Sequence, residues 1–166
     1  MDSVISQDYE NTRVVIVNDG SSDNSAEVAL SLSKKHPNIE LLSNEHPTGP
    51  SAARNLAIKH AWDTTDFFIM LDADDTYLPG KISKSVEIIS TDVQNIGVVY
   101  SDSLIENMSS NSVILEIRRP YSREEIEYEC ILPNTSLVSK LALSRVGLYD
   151  EDMRTAEDWD LWLRVT

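Results

Sequence analysis

Phe67-Phe68-Ile69-Met70-Leu71-Asp72-Ala73-Asp74-Asp75 is an unbroken apolar run that ends on three carboxylates. A short apolar run bounded by turn residues reads as a strand buried on both faces, the kind found inside a parallel sheet. The acidic residues then stand at the strand's carboxyl end. Upstream, Arg13-Val14-Val15-Ile16-Val17 is a second such strand, and Asn18-Asp19-Gly20-Ser21-Ser22-Asp23 is a loop and helix-cap signal after it. A helix is expected over 24–35, with Val28 and Leu32 on its apolar side and Pro37 closing it. Ile39-Glu40-Leu41-Leu42 is a short strand, and a loop at 44–50 leads into a helix from Ser51 to about Trp62.

Downstream of the acidic turn the same alternation continues. Pro79-Gly80 opens a helix whose Ile82, Val86 and Ile89 share one face. Ile96-Gly97-Val98-Val99-Tyr100 is another strand. Alternating strands and helices with short loops predict an α/β domain with a mostly parallel sheet. Residues 103–135 are more polar, with a candidate strand at 113–117 and a candidate helix at 123–128. A helix over 139–146 ends at Gly147, and a short helix over 157–165 carries Trp159 and Trp162. Ser3-Val4-Ile5-Ser6-Gln7 reads as a last helical turn, followed by a turn at Asp8-Tyr9-Glu10-Asn11. No linker, low-complexity tract or second domain is visible, so 1–166 is expected to form a single domain.

The totals exclude several function classes. A chain of 166 residues fits one domain and buries roughly 70% of its unfolded surface. Its formal charge of −14 leaves no basic stripe for nucleic acid. A phosphate-bearing ligand on so acidic a protein requires a cation, an arginine or helix N-termini at the site. No segment approaches the roughly 20 apolar residues of a membrane span. The first residues lack the basic and apolar regions of a signal peptide. Cys130 is the single cysteine, so neither an internal disulfide nor a cysteine metal site is expected, and a reduced, cytoplasmic setting fits.

Ligands of open α/β sheets bind beyond the carboxyl ends of the strands. Asp19-Gly20-Ser21 and Asp72-Ala73-Asp74-Asp75 both fall there. The second group reads as a solvated turn, a metal site or a phosphate-handling site. Hard divalent cations take oxygen ligands, and Mg²⁺ is typically held by one or two carboxylates plus substrate phosphates. An EF-hand counted from Asp72 would need Gly and Glu where Tyr77 and Ser83 stand, so it is rejected. Asp72-Ala73-Asp74-Asp75-Thr76 also overlaps the Asp-x-Asp-x-Thr of haloacid-dehalogenase-like phosphatases, with Asp72 as nucleophile. In that family the nucleophile strand usually comes first, whereas here other βα units precede it.

The remaining motifs favour a third reading. Val17-Asn18-Asp19-Gly20-Ser21-Ser22-Asp23, Gly49-Pro50-Ser51-Ala52-Ala53-Arg54-Asn55, Leu71-Asp72-Ala73-Asp74-Asp75, Gly147-Leu148-Tyr149-Asp150-Glu151 and Ala156-Glu157-Asp158-Trp159-Asp160-Leu161-Trp162-Leu163-Arg164 occur in that order. The chain closely resembles family 2 glycosyltransferases of the GT-A fold from about residue 3 to its end. The resemblance implies a Rossmann-like mixed, mostly parallel sheet flanked by helices, with a nucleotide-binding part at about 12–101 and an acceptor-side part at about 102–166. It also implies that the family's first strand is missing and that the chain is truncated at both ends. The free sheet edge would then face solvent or another chain, with a homodimer through that edge as one outcome.

By the same resemblance, Asp19 contacts the base of a nucleotide-sugar donor, and Arg54 lies near base and diphosphate. Asp72 contacts the ribose, Asp74 is the main ligand of Mn²⁺ or Mg²⁺, and Asp75 is a second or alternative ligand. Asp158 is the general base of an inverting transfer, using a UDP-sugar and a glycan or lipid-linked sugar acceptor. The setting implied is cell-surface or capsular polysaccharide synthesis, cytoplasmic and peripherally at the inner face of the membrane. A non-catalytic nucleotide-sugar-binding fragment is the remaining alternative. Each residue also has a plainer reading: Asp19-Gly20 is a common turn pair, Arg54 an ordinary surface arginine, and Glu157-Asp158 acids favoured at a helix N-terminus. At least one of Trp159 and Trp162 is expected in the core, and His46 is given no role.

Overall fold

The computed structural model describes all residues, 1–166. A short helix, α1 (Asp2–Ile5), precedes a βαβ unit of β1 (Val14–Asp19), α2 (Ser25–Lys35) and β2 (Ile39–Asn44). The β-branched run makes β1, and β2 pairs with it in parallel, from Val14 opposite Ile39 to Asp19 opposite Asn44. Next come α3 (Pro50–Ala61), a 3₁₀ turn (Trp62–Thr64), β3 (Phe67–Ile69), α4 (Lys81–Thr91) and β4 (Val98–Val99). Pro50 opens α3, where its missing N–H leaves no bond unmade. The second half is β5 (Ser103–Asn107), β6 (Ser112–Glu116), α5 (Arg123–Ile126), β7 (Leu137–Ser139), α6 (Lys140–Val146) and α7 (Glu157–Val165).

A second sheet has the order β3–β7–β4, with β7 antiparallel to both neighbours. β3 and β4 therefore run the same way, and β7 supplies the antiparallel element of the mixed sheet. β7 is the most buried strand, yet its three residues escape sequence reading because they run straight into α6. Ser139 ends the strand and also caps the helix, its hydroxyl accepting the Ala142 N–H at 3.0 Å. β5 and β6 form a separate hairpin. β5 is hidden in the sequence by its polar residues, and β6 answers the strand expected near 113–117.

Two expectations need correction. β1 is half-buried along its whole length rather than buried on both faces. It pairs with β2 alone, and its other edge looks across a cavity toward β3. β3 stops at Ile69, before the apolar run ends, because β7 offers partners only to Phe67, Phe68 and Ile69.

The main core joins Ile58 and Phe68 to Ile126, Leu132, Leu143, Leu161 and Trp162. Residues from both anticipated parts thus share one core, which fixes α7 against the sheet. Trp162 is fully buried, while Trp159 is half-buried and donates its indole N–H to the Ile126 carbonyl. Packing rather than sugar contact accounts for Trp162. Truncating Leu161 to Ala would cost about 2–5 kcal/mol on the usual scale for buried leucines.

Candidate active site

The chain leaves β3 through Met70 and Leu71 and turns at Asp72, where the Asp75 N–H donates to the Asp72 carbonyl at 3.1 Å. This tight turn projects Asp72, Asp74 and Asp75 outward, all three exposed. The crowding has an electrostatic cost. Burial, and then the charges of Asp74 and Asp72, push the Asp75 carboxyl above its usual range.

Arg54 crosses to this turn from the second turn of α3. Its Nη2 lies 3.0 Å from Asp72 Oδ1, and its Nη1 lies 2.6 Å from Glu157 Oε1. The guanidinium also sits over the Tyr149 ring, 5.5 Å from its centroid. Tyr149 Oη donates to Asn134 Oδ1 at 3.4 Å, and Asn134 Nδ2 donates to Asp72 Oδ2 at 3.3 Å. Asp72, Arg54, Tyr149 and Asn134 therefore close a ring of contacts. Burial opposes the Arg54 charge, but the bonds to Asp72 and Glu157 outweigh it and raise the pKa.

Beside Arg54, the buried Asn55 acts as a backbone partner. Its Nδ2 donates to the Tyr149 carbonyl at 2.8 Å and its Oδ1 accepts the Tyr149 N–H at 3.0 Å. The same Nδ2 reaches Glu151 Oε1 at 2.9 Å, which Lys59 also approaches at 3.4 Å. One helix thus grips the segment leading to α7 with Asn55 and the first residue of α7 with Arg54. Each such net hydrogen bond is worth about 1 kcal/mol, but its geometric effect is larger: it fixes where Asp158 stands.

Asp158 follows Glu157 in the first turn of α7 and is half-buried. Its Oδ1 accepts from the Trp159 N–H at 2.8 Å. Its negative charge is felt by Cys130, whose thiol is pushed up to about 11, first by burial and then by Asp158. The turn into α7 places Ala156 at φ 60°, a left-handed conformation that is uncommon outside glycine. Asp160 pairs with Arg164 at 2.7 Å on the outer side of the helix, as the spacing predicts.

Asp19 lies apart from this ring, though on the same helix's approach. Its carboxylate accepts from Asn44 Nδ2 at 2.8 Å, Thr48 Oγ1 at 2.8 Å, Thr48 N at 2.9 Å and Gly49 N at 2.8 Å. Burial raises its pKa, but these donors outweigh burial and leave the carboxyl below its usual range. Asp19 thereby holds the loop that opens α3. Gly20 beside it has φ 72°, and an added Cβ would meet Pro47 Cδ at 2.7 Å.

No three His, Cys, Asp or Glu side chains are grouped to hold a metal by themselves. The donor set is instead a turn of hard carboxylate oxygens in which Asp74 and Asp75 have no salt-bridge partner. That suits a cation held by one or two carboxylates and completed by phosphates. Asp72, the nucleophile of the phosphatase reading, is occupied by Arg54 and Asn134.

Arg54, Asp72 and Asp158 are gathered on one side, Asp74 and Asp75 adjoin them, and Asp19 stands in its own nest of donors. Glu157, Asn134, Tyr149 and Asn55 were given no site role from sequence. Asn55, Tyr149 and Glu157 lie within the ordered motifs, which is the signal that could have found them, whereas Asn134 lies outside every motif.

The family model for glycosyl transferase family 2 matches residues 1–142. An uncharacterized glycosyltransferase of Rickettsia prowazekii (strain Madrid E) is 30% identical, the alignment covering 99% of this chain and 52% of the relative. The Escherichia coli UDP-Glc:alpha-D-GlcNAc-diphosphoundecaprenol beta-1,3-glucosyltransferase WfgD is also 30% identical, over 98% of this chain and 61% of its own length. The chain thus spans about half the length of the first curated relatives it matches. Among solved structures, mannosyltransferase PcManGT from Pyrobaculum calidifontis, in complex with GDP-Man and Mn2+, superposes with a TM-score of 0.74. It is 19% identical, with 99% of this chain and 46% of that chain covered. TarS of S. aureus gives a TM-score of 0.68 at 21% identity, covering 99% of this chain and 49% of that chain. These likenesses identify the fold as GT-A.

Proposed function

The chain belongs to glycosyl transferase family 2, and from that premise we propose that its site moves a sugar from a UDP-sugar to a hydroxyl acceptor with inversion. The observation that carries this reading is Arg54, which bonds Asp72 of the carboxylate turn and Glu157 of α7 at once. It ties the turn proposed to face the diphosphate to the helix that carries the proposed base, which supports both acting on one substrate.

Each residue then has a task. Asp74, with Asp75 as second ligand, would hold Mn²⁺ or Mg²⁺. When bound, the cation offsets the charge that develops on the departing nucleoside diphosphate. Asp72 orients the ribose while Arg54 and Asn134 fix its carboxylate. Asp19 and the loop it organises lie on the base side. Asp158 accepts the proton from the acceptor hydroxyl as that oxygen bonds to the anomeric carbon and the bond to the diphosphate breaks. Base assistance of this kind contributes about 10²- to 10⁴-fold. Asp158 keeps its second carboxylate oxygen free for this, because the Trp159 N–H engages only Oδ1.

In this proposal residues at about 12–101 bind the nucleotide and those at about 102–166 face the acceptor. The WfgD name, which includes a diphosphoundecaprenol-linked sugar, supports a lipid-linked or glycan acceptor in cell-surface polysaccharide synthesis. Work at the cytoplasmic face of a membrane would then be peripheral for this segment, since no helix is long and apolar enough to cross a membrane.

Calorimetry of UDP, GDP and their sugars with and without Mn²⁺ tests the reading. We expect UDP binding that requires the cation and is lost in Asp74→Ala. In the longest active form of the protein, Asp158→Asn should abolish turnover while UDP affinity holds. Metal-independent binding, or an Asp158→Asn variant with full turnover, would refute it.

A further inference from the structure

β5 and β6 bond to each other and to no other strand. Their register sets Leu104 opposite Leu115, Ile105 opposite Ile114 and Glu106 opposite Val113. Leu104, Val113 and Leu115 thus share one face, and Ile105 and Ile114 the other. With Ile117 beyond the strand end, these six aliphatic side chains are between 46% and 72% exposed. Both faces are therefore open to solvent. The base of the hairpin is nonetheless fixed. The Arg118 N–H donates to Asp102 Oδ1 at 2.8 Å, and Tyr100 Oη donates to the Arg119 carbonyl at 2.7 Å. The hairpin is an arm held at its root rather than a loose loop.

A two-stranded hairpin is marginal in water by itself and gains stability from further strands or a packing partner. The two outer edges of this one differ. β5 carries Glu106 within its length, a charge of the kind that discourages strand addition. β6 reads Ser112-Val113-Ile114-Leu115-Glu116, with no charge until its last residue. Its outer backbone edge and its aliphatic side chains are open along the same stretch.

Charge decides between the occupants of this edge. The chain carries −14 overall, which opposes approach to an anionic lipid surface. Acyl chains would also leave the outer backbone groups of β6 without partners. A second copy meets the same repulsion, but least along a neutral edge. Antiparallel pairing of two β6 strands about Ile114 sets Ile114 opposite its symmetry mate, Val113 opposite Leu115 and Ser112 opposite Glu116. No like charges then face each other. The two Glu116 carboxylates lie about 14 Å apart at about 3.4 Å per residue, beyond the Debye length of about 8 Å. Each also has Arg118 of its own chain as an ion-pair partner. Opposite residues of an antiparallel pair point to the same face, so Leu104, Val113 and Leu115 of both copies form one continuous apolar surface.

We propose that β6 is a self-association edge, through which two copies of this chain pair antiparallel about Ile114 into a four-stranded sheet of order β5–β6–β6–β5. This edge is distinct from the free edge of β1. An isologous contact of this kind closes at a dimer, and Glu106 then stands on each new outer strand.

Sedimentation equilibrium tests this. The chain should be a dimer, and Ile114→Lys should weaken dimerisation about a hundredfold or more, because it replaces two buried aliphatic side chains with opposed charges. A short thiol crosslinker tests the register in a Cys130→Ala background, which removes the single native thiol. Ile114→Cys places the two opposed Cβ atoms about 5 Å apart and should crosslink. Met108→Cys should not, because the two hairpin tips lie about 40 Å apart along the sheet, although Met108 is the more exposed residue, at 89% against 58%. The proposal is overturned by a chain that stays monomeric at its solubility limit, by a dimer that survives Ile114→Lys, or by equal crosslinking of the two cysteine variants. Binding to phosphatidylglycerol vesicles that Ile114→Lys abolishes would assign the edge to a bilayer and overturn it too. None of these readouts involves the donor, so their failure leaves the transferase reading untouched.

Discussion

The pairing of Arg54 with Glu157 can be tested by a double-mutant cycle using Arg54→Met and Glu157→Gln. Both side chains are 13% exposed and their atoms are 2.6 Å apart, whereas Asp72, the other arm, is 46% exposed. The Asp72 arm is therefore worth about 0–1 kcal/mol. Removing one partner of a fully buried pair costs about 3–5 kcal/mol. Glu157 sits in the first turn of α7, and the positive helix end recovers about 0.3–1 kcal/mol of that loss. Loss of the contact over the Tyr149 ring adds about 0.5–1 kcal/mol. Arg54→Met should thus destabilise by about 2–4 kcal/mol, a melting shift of about 4–16 °C at 2–4 °C per kcal/mol. Glu157→Gln keeps the shape and an acceptor, so about 1 kcal/mol is expected. Because Glu157→Gln leaves no charge to strand, the double variant should fall short of the sum by about 1–2 kcal/mol. Urea unfolding of the four proteins measures this directly. Additivity within about 0.3–0.5 kcal/mol would mean that the bond does not tie α3 to α7.

The thiol of Cys130, raised from 9.0 to about 11 by burial and by Asp158, should alkylate slowly with iodoacetamide until pH approaches 11. A raised folded-state pKa stabilises the fold below pH 9 and loses that contribution as pH rises through 11. Asp158→Asn should lower the alkylation midpoint, and a midpoint unchanged in the variant would place the Asp158 charge elsewhere. Gly20→Ala combines φ 72° with a Cβ 2.7 Å from Pro47, so a loss of about 2 kcal/mol or more is expected. The displaced loop should also weaken UDP binding, and a variant of native stability and affinity would refute this account of Asp19 and its loop.

Local chemistry made much of the fold legible in sequence. The β-branched run at 13–17, the apolar face of 82, 86 and 89, and the Gly147 stop all act within a few residues. β7 was hidden for the opposite reason: its three residues are a strand only because β3 and β4 flank them. The half-buried state of β1 was hidden similarly, since a β-branched run does not record whether both neighbours are present. At the site, motif order singled out Asp19, Arg54, Asp72 and Asp158, but their partners lie far along the chain. Arg54 and Glu157 are 103 residues apart, and Asn55 and Tyr149 are 94 apart. Such bonds depend on how α3 packs against the 149–157 segment. That packing is set by the core around Ile58, Tyr149 and Trp162, which forms without any of the charged residues. The ion pair therefore refines a geometry that the core establishes, so Arg54→Met should displace α7 locally without unfolding the domain. Asp158 stands where these two influences meet. Trp162 and Leu161 anchor its helix from below, while Arg54 and Asn55 set the helix start from the side. Loss of the first would cost the fold, and loss of the second would cost the alignment of the base.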